Sequence, residues 1–200
     1  MAFTDFKSPD EVQKAYRITY RQEHFLQIRP QMPSAQLLAD FEFNMTYFDV
    51  FSSEASRCEN VIYPLLRDAC RQVVSRYSLW SHKSITADDI LTGTPDYIIA
   101  SRSELGNNVL GFPLVLVVEA KQNDFTKGWG QCLAELVAAQ KLNGPPALPV
   151  YGIVTDGELW QFGRLQESRF TRDASRPTIE AIDQVFGAVS AMIRLAMVAP

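Results

Sequence analysis

The sequence lacks several features that would assign it to a specialised class of protein. No stretch approaches the roughly 18 apolar residues that a membrane-spanning helix needs. The first residues, Met-Ala-Phe-Thr-Asp-Phe-Lys, show no basic segment followed by an apolar one. The chain has only three cysteines, an odd number without metal-ligand spacing. We therefore expect a cytoplasmic protein with reduced thiols and no membrane association.

An excess of positive charge is also missing. Nineteen Lys and Arg stand against 23 Asp and Glu, which gives a formal net charge of −4. This balance argues against tight, non-specific DNA binding by the chain alone, although a local basic surface can lie on an acidic protein. The absence of a Gly-x-x-x-x-Gly-Lys-Ser/Thr stretch excludes an ATP-driven motor of that type from this chain.

The sequence does contain a buried-strand pattern that ends in charged residues. Residues 114–118 are an uninterrupted apolar run, and Glu119-Ala120-Lys121 follows directly. Such a run predicts a strand buried on both faces, and its period of two puts Glu119 and Lys121 on the same face. Charges at the end of so apolar a strand are costly unless they are paired, hydrated or bound to a metal.

A second acid, Asp96, opens a predicted strand over residues 96–101. The turn residues around Gly106 predict a hairpin that brings Asp96 to Glu119 and Lys121. Carboxylates converging at a sheet edge suit Mg²⁺ or Mn²⁺, and a neighbouring lysine can orient or deprotonate a water molecule. This pattern favours phosphodiester hydrolysis. The structural alternative is a salt bridge of Lys121 with Glu119 or Asp96 at the strand end.

The rest of the pattern predicts one α/β domain over residues 1–200. Residues 1–51 form a helical amino-terminal cover, 52–165 the core, and 166–200 a carboxy-terminal strand and helix. Helices are predicted over about 12–19, 34–45, 53–73 with a bend at Pro64, 129–142 and 178–197. Residues 20–27 are ambiguous, 79–86 are weakly strand-like, and Gly128 and Gly130 predict a corner. Strands over 150–154 and 159–162 flank an Asp156-Gly157 hairpin.

Two motifs in this order resemble the PD-(D/E)xK nuclease superfamily: Gly-Thr-Pro-Asp-Tyr at 93–97 and Val-Val-Glu-Ala-Lys at 117–121. The chain is most similar to the amino-terminal nuclease domain of type I restriction enzyme motor subunits and to their stand-alone relatives. Those proteins carry Ser-Glu-Ala and then Ile-x-Pro-Leu-Leu on an earlier helix, here residues 53–55 and 62–66. The resemblance covers about residues 52–165.

The resemblance implies a restriction-endonuclease-like α/β/α core. Its central mixed sheet would have four or five strands, flanked by the Glu54 helix and the Gln131 helix. It also implies a DNA nuclease that uses Mg²⁺ or Mn²⁺. In that role Asp96, Glu119 and Glu54 bind the metal, and Lys121 acts on the attacking water.

Two positions on the helices leave alternatives open. Gln131 matches the family's helix glutamine, which would contact the nucleotide or the attacking water. Glu59 is the alternative to Glu54 as the acid that the family has on its earlier helix. Glu135 stands where the family has a tyrosine. A nuclease-fold module without catalytic activity, which binds nucleic acid or protein, is therefore the alternative function. We also expect a homodimer or a larger nuclease complex.

Other residues that often carry function are assigned from their context. We expect His24 and His82 to be structural or surface residues, and Trp129, Trp160 and Phe162 to lie in the core. The candidate phosphate contacts are Lys83, Lys127 and Arg102.

Overall fold

The computed structural model describes residues 2–144 and 148–198, and it has helices on both faces of a mixed sheet. The helices are α1 (Pro9–Tyr16), α2 (Ala35–Tyr47), α3 (Glu54–Arg57), α4 (Tyr63–Cys70), α5 (Phe125–Asn143) and α6 (Ile182–Val198). The strands are β1 (Thr19–Glu23), β2 (Tyr77–Ser81), β3 (Ile85–Thr86), β4 (Thr92–Gly93), β5 (Tyr97–Arg102), β6 (Leu110–Ala120), β7 (Val150–Thr155), β8 (Trp160–Gln166) and β9 (Arg169–Asp173). Within the described residues, no helix is long and apolar enough to cross a membrane.

Seven strands form the central sheet in the order β1-β9-β8-β7-β6-β5-β2. The inner strand β6 is antiparallel to β5 and parallel to β7, and α5 connects β6 to β7. Both predicted hairpins, β5–β6 and β7–β8, are present. The sheet is wider than the four or five strands expected, because β1 and β9 pair in parallel at one edge and β2 pairs at the other.

Each face of the sheet packs against its own apolar core. Along β5, Tyr97 and Ile99 belong to the core that contains α4 and α6, whereas Ile98 and Ala100 belong to the core that contains α1 and α5. This alternation is the period of two that a strand buried on both faces requires. The predicted fold class, an α/β/α arrangement around a central mixed sheet, is confirmed.

The amino-terminal cover is helical only in part. The first helix ends at Tyr16, not near Thr19, because Arg17 adopts a left-handed conformation with φ of 54°. The ambiguous segment that follows contains β1, whose five residues are all exposed. The sequence pattern missed this strand because it has no buried face to give it apolar alternation.

The predicted corner at Gly128 and Gly130 is wrong, since both glycines lie inside α5. A Cβ atom at Gly128 would lie 2.7 Å from Val154 Cγ1, and one at Gly130 would lie 2.6 Å from the backbone nitrogen of Ser8. The glycines therefore allow α5 to approach β7 and the start of α1 closely. In the sequence, Pro145 and Pro146 predict the end of this helix, and both lie outside the described residues.

The helix predicted over residues 53–73 is interrupted before Pro64 by a π turn. Residues Cys58–Ile62 form this turn between α3 and α4, and the N–H of Tyr63 donates to the carbonyl of Cys58, five residues earlier. Pro64 has no N–H to donate, and the helix widens in the turn before it. The last helix, α6, packs along the body, with Val189, Met192 and Ile193 buried in the same core as α4.

Candidate active site

Asp96 lies immediately before β5 and connects the ends of three strands. Its Oδ2 accepts a hydrogen bond of 2.8 Å from the backbone N–H of Ala120, the last residue of β6. Its own carbonyl oxygen accepts one of 2.8 Å from the backbone N–H of His82, which follows β2. The carboxyl group of Asp96 is therefore held beside the last residue of the inner strand β6.

Glu119 and Lys121 contact each other directly. Lys121 Nζ lies 2.5 Å from Glu119 Oε1, so the two side chains share a face, as their spacing predicts. Glu119 is buried, with 1% of its surface exposed, while 16% of the Lys121 side chain is exposed. The N–H of Lys121 donates to the carbonyl of Thr155 at 2.9 Å, which fixes Lys121 beside the end of β7.

Glu54, the first residue of α3, reaches the same place from one face of the sheet. Ser53 caps the helix by accepting a 3.1 Å hydrogen bond from the N–H of Ser56. Glu54 Oε1 lies 4.0 Å from Lys121 Nζ, and 45% of the Glu54 side chain is exposed. Glu59, the alternative acid, is exposed in the π turn. We call Asp96, Glu119, Lys121 and Glu54 the carboxylate site.

Gln131 and Glu135 approach Glu119 from α5 on the opposite face. Both side chains are buried, and Gln131 Nε2 donates to Glu135 Oε1 at 3.2 Å. Glu135 lies close enough to Glu119 for each carboxyl group to alter the pKa of the other. The position where the nuclease family has a tyrosine thus supplies a second buried carboxyl group beside Glu119.

Burial dominates the electrostatics of this cluster. It raises the pKa of Asp96, which the Ala120 hydrogen bond and Lys121 only partly offset. It also raises the pKa values of Glu119 and Glu135, and repulsion between the neighbouring carboxyl groups adds to the effect. Burial alone would lower the pKa of Lys121, but the attraction of Glu119 outweighs it and the pKa is raised. Lys121 is therefore a cation, and the acids around it hold protons more readily than usual.

His82 is a neighbour of the site that the sequence pattern missed. Its Nε2 lies 3.6 Å from Asp96 Oδ1, and 61% of its side chain is exposed. The pairing of Ser81 with Tyr97 puts His82 opposite Asp96. This register cannot be read from a weakly strand-like stretch, so nothing in the sequence separated His82 from an ordinary surface histidine.

The remaining assigned side chains divide between core and surface. Trp129, Trp160 and Phe162 are fully buried, as predicted, and His24 is exposed. Arg102 donates to the carbonyl of Val74 and to Asn107, so the protein itself engages this candidate phosphate contact. Lys83 lies over the ring of Trp80, 5.2 Å from its centroid.

The donor atoms of the carboxylate site suit a hard divalent cation. Among the described residues, neither buried carboxylate oxygen of Glu119 accepts a well-formed hydrogen bond, although Lys121 Nζ lies 2.5 Å from Oε1. Asp96 and Glu54 would add further oxygen ligands of the kind that Mg²⁺ prefers. Across residues 2–144 and 148–198, however, no three or more His, Cys, Asp or Glu side chains are grouped closely enough to hold an ion.

Comparison with protein-family models and with curated proteins found no significant match to this sequence.

Proposed function

We propose that the chain is a Mg²⁺-dependent nuclease that hydrolyses phosphodiester bonds in DNA. The observation that supports this most directly is the convergence of Asp96, Glu119 and Lys121 at the ends of β5 and β6, with Lys121 Nζ 2.5 Å from Glu119. These residues come from the two strands of one hairpin and meet where β5 begins and β6 ends. They comprise the acids and the amine that the PD-(D/E)xK resemblance assigns to the reaction.

In this proposal Asp96 and Glu119 hold the metal, with Glu54 as the third ligand. A bound Mg²⁺ ion would lower the pKa of a water molecule and neutralise negative charge on the phosphate. Lys121 orients the attacking water through its ammonium group and offsets the charge that develops on the phosphoryl oxygens. Its high pKa keeps this cation present at neutral pH.

The residues of α5 support Glu119 without touching the substrate. Gln131 donates to Glu135, and Glu135 in turn lies against Glu119. All three side chains are buried, so close packing restricts their movement. We propose that Gln131 acts here as a positioning residue, in place of the nucleotide or water contact that the resemblance implies.

The proposed setting is the cytoplasm. Cys58, Cys70 and Cys132 are all free and buried, as is usual for proteins of a reducing compartment. A net charge of −4 means that DNA must be held by local contacts and by the metal, since the overall field of the protein repels it.

The sharpest test is Lys121→Met, which keeps most of the stem but removes the ammonium group. We expect cleavage of labelled DNA in Mg²⁺ or Mn²⁺ to fall at least about 100-fold while DNA affinity is retained. The matched control is Lys14→Met, because Lys14 is an exposed lysine on α1 whose ammonium group pairs with Asp10. Unchanged cleavage in Lys121→Met would contradict the proposal.

A binding module without catalytic activity is the second candidate. In its favour, the described part of the chain groups no three metal-ligating side chains, and Lys121 Nζ already lies 2.5 Å from Glu119 Oε1. Thermal unfolding during a Mn²⁺ titration, run beside the cleavage assay, separates the two functions. A stabilisation seen in the wild type but not in Glu119→Gln supports the nuclease, whereas identical curves support the module.

A further inference from the structure

A pocket of about 630 Å³ opens beside the carboxylate site, between the π turn and the end of β2. This volume lies within the range of small-molecule and cofactor sites, about 300–1,000 Å³. The residues that matter for its chemistry are Glu54, Glu59, Tyr63, His82, Asp96 and Tyr97. Asp96 and Glu54 belong both to this pocket and to the carboxylate site. A ligand in the pocket therefore lies next to the bond that the proposed nuclease would cleave.

One wall of the pocket is a pair of stacked aromatic rings. Tyr63 and Tyr97 have ring centroids 5.9 Å apart and planes inclined by 27°. Tyr97 is 2% exposed and fixed in the core, whereas Tyr63 keeps 37% of its surface exposed. The ring of His82 meets Tyr97 edge-on at 6.0 Å. A rigid inner ring thus supports an outer ring that a ligand can reach, as in an aromatic stacking platform.

The backbone is irregular on both sides of this pocket. Tyr63 follows the π turn Cys58–Ile62, and His82 has a φ of 49°, in the left-handed region. A π turn is a rare departure from the α-helix, and a non-glycine residue with positive φ carries strain. Such features concentrate at binding and catalytic sites, where the rest of the fold holds them in place. Here both border the same cavity.

The charges of the pocket select the kind of group that it accepts. Glu54, Glu59 and Asp96 line it, and within the described residues no lysine or arginine does. A phosphate would be repelled there, but a neutral, flat ring with N–H donors can stack on Tyr63 and donate to the carboxylates. Nucleobases with exocyclic amino groups have this chemistry.

We infer that the pocket receives one unpaired nucleobase next to the phosphodiester that is cleaved, and that the preferred substrate is single-stranded DNA. A base within an intact duplex is stacked between its neighbours and cannot enter without first being flipped out. An unpaired base enters at no such cost. This inference rests on the proposed nuclease function and extends it by naming the form of the substrate.

The test measures binding in Ca²⁺ to a fluorescently labelled 12-nucleotide single strand and to the corresponding duplex. The wild type should bind the single strand at least tenfold more tightly. Tyr63→Ala should weaken single-strand binding by about 5- to 150-fold, the range expected for loss of one stacked base, and leave duplex binding unchanged. Tyr63→Phe keeps the ring and should retain the affinity. Tyr47→Ala, an exposed tyrosine that does not line the pocket, should bind like the wild type.

A second measurement needs no substitution and so does not depend on whether Tyr63→Ala folds. A single strand carrying 2-aminopurine should lose fluorescence on binding to the wild type, because stacking on an aromatic ring quenches it. Adenosine monophosphate is the competitor that separates a polynucleotide site from a free-nucleotide site. If adenosine monophosphate displaces the strand at an equal concentration of nucleotide units, the pocket is a site for a free nucleotide and the inference is overturned.

The same samples distinguish this inference from the proposed function. Cleavage in Mg²⁺ without preference for single strands, and unchanged in Tyr63→Ala, would overturn the pocket assignment and leave the nuclease. Ring-dependent binding of the single strand without cleavage in Mg²⁺ or Mn²⁺ would support the pocket and overturn the nuclease. Absence of binding to either form would overturn both.

Discussion

The two helices α5 and α2 are both largely apolar in sequence, yet the fold buries them to opposite extents. α5 buries 13 of its 19 residues, including Gln131, Glu135 and Gln140. α2 buries only Leu37 of its 13 residues and exposes Phe43, Met45 and Tyr47. Their positions differ: α5 crosses from β6 to β7 beneath α1, whereas α2 touches the body at α4 and the π turn.

This contrast shows that topology, and not the polarity of a side chain, decides what is buried in this protein. Burying a polar group costs free energy unless a partner satisfies it. In α5, Gln140 donates to the carbonyl of Leu165 at 3.2 Å, and Gln131 donates to Glu135. Glu135 faces Glu119 across the helix–sheet boundary. Gln131 and Glu135 therefore connect α5 to Glu119 in the carboxylate site, whereas Gln140 connects it to β8.

The largest difference between the helices should appear when an apolar side chain is truncated. Leu133 in α5 is fully buried, so Leu133→Ala should lower the free energy of unfolding by about 2–5 kcal/mol. Phe43 in α2 is 53% exposed, so Phe43→Ala should change it by less than about 0.5 kcal/mol. Urea unfolding of both variants measures the contrast. A comparable loss in Phe43→Ala would mean that the α2 face is covered in solution.

A smaller effect is expected from the buried carboxyl groups, as a pH dependence. The folded pKa values of Glu119 and Glu135 are raised above the usual 4.5, so the metal-free folded protein holds protons that the unfolded chain has released. Their contribution to stability is thus complete below pH 4.5 and is lost as the pH rises towards the folded pKa values. Glu135→Gln removes one of these protons. Above pH 4.5, the free energy of unfolding should then fall less steeply with pH, by up to about 1.4 kcal/mol per pH unit.

Unfolding in EDTA at pH 5, 6 and 7 measures this slope. Glu104→Gln, at an exposed turn position, is the control and should leave the slope unchanged. A slope in Glu135→Gln equal to that of the wild type would mean that Glu135 is ionised in the folded protein.

A smaller loss of stability than that of Leu133→Ala should follow when the attachment of α2 is weakened. Ser34 caps this helix by accepting from the N–H of Leu37 at 3.3 Å, and its hydroxyl donates to Asp68 Oδ1 at 2.9 Å. Ser34→Ala should cost about 1 kcal/mol, and amide exchange should become faster in α2 but not in α5. Ser34→Thr keeps the hydroxyl and should exchange like the wild type. Faster exchange in α5 would show that the two helices unfold as one unit.

The sequence predicted the centre of the site because local patterns determine it. A period of two and one hairpin turn suffice to bring Asp96, Glu119 and Lys121 together. Glu135 and His82 could not be found in this way, since their positions depend on how α5 packs on the sheet and how β2 pairs with β5. The corner predicted at Gly128 and Gly130 is wrong because close packing and a turn favour the same residue. The catalytic roles assigned to these residues remain predictions.

The parallel pairing of β1 with β9 has a consequence for the integrity of the whole chain. β1 comes from the amino-terminal cover and β9 from the carboxy-terminal segment, so each depends on the other to complete the sheet. At the solvent side, Arg21 and Glu23 give the outer strand a charged rim that discourages further pairing. Removing residues 1–51 would strip this rim from β9 and leave its unpaired N–H and C=O groups as a template for a strand of another molecule.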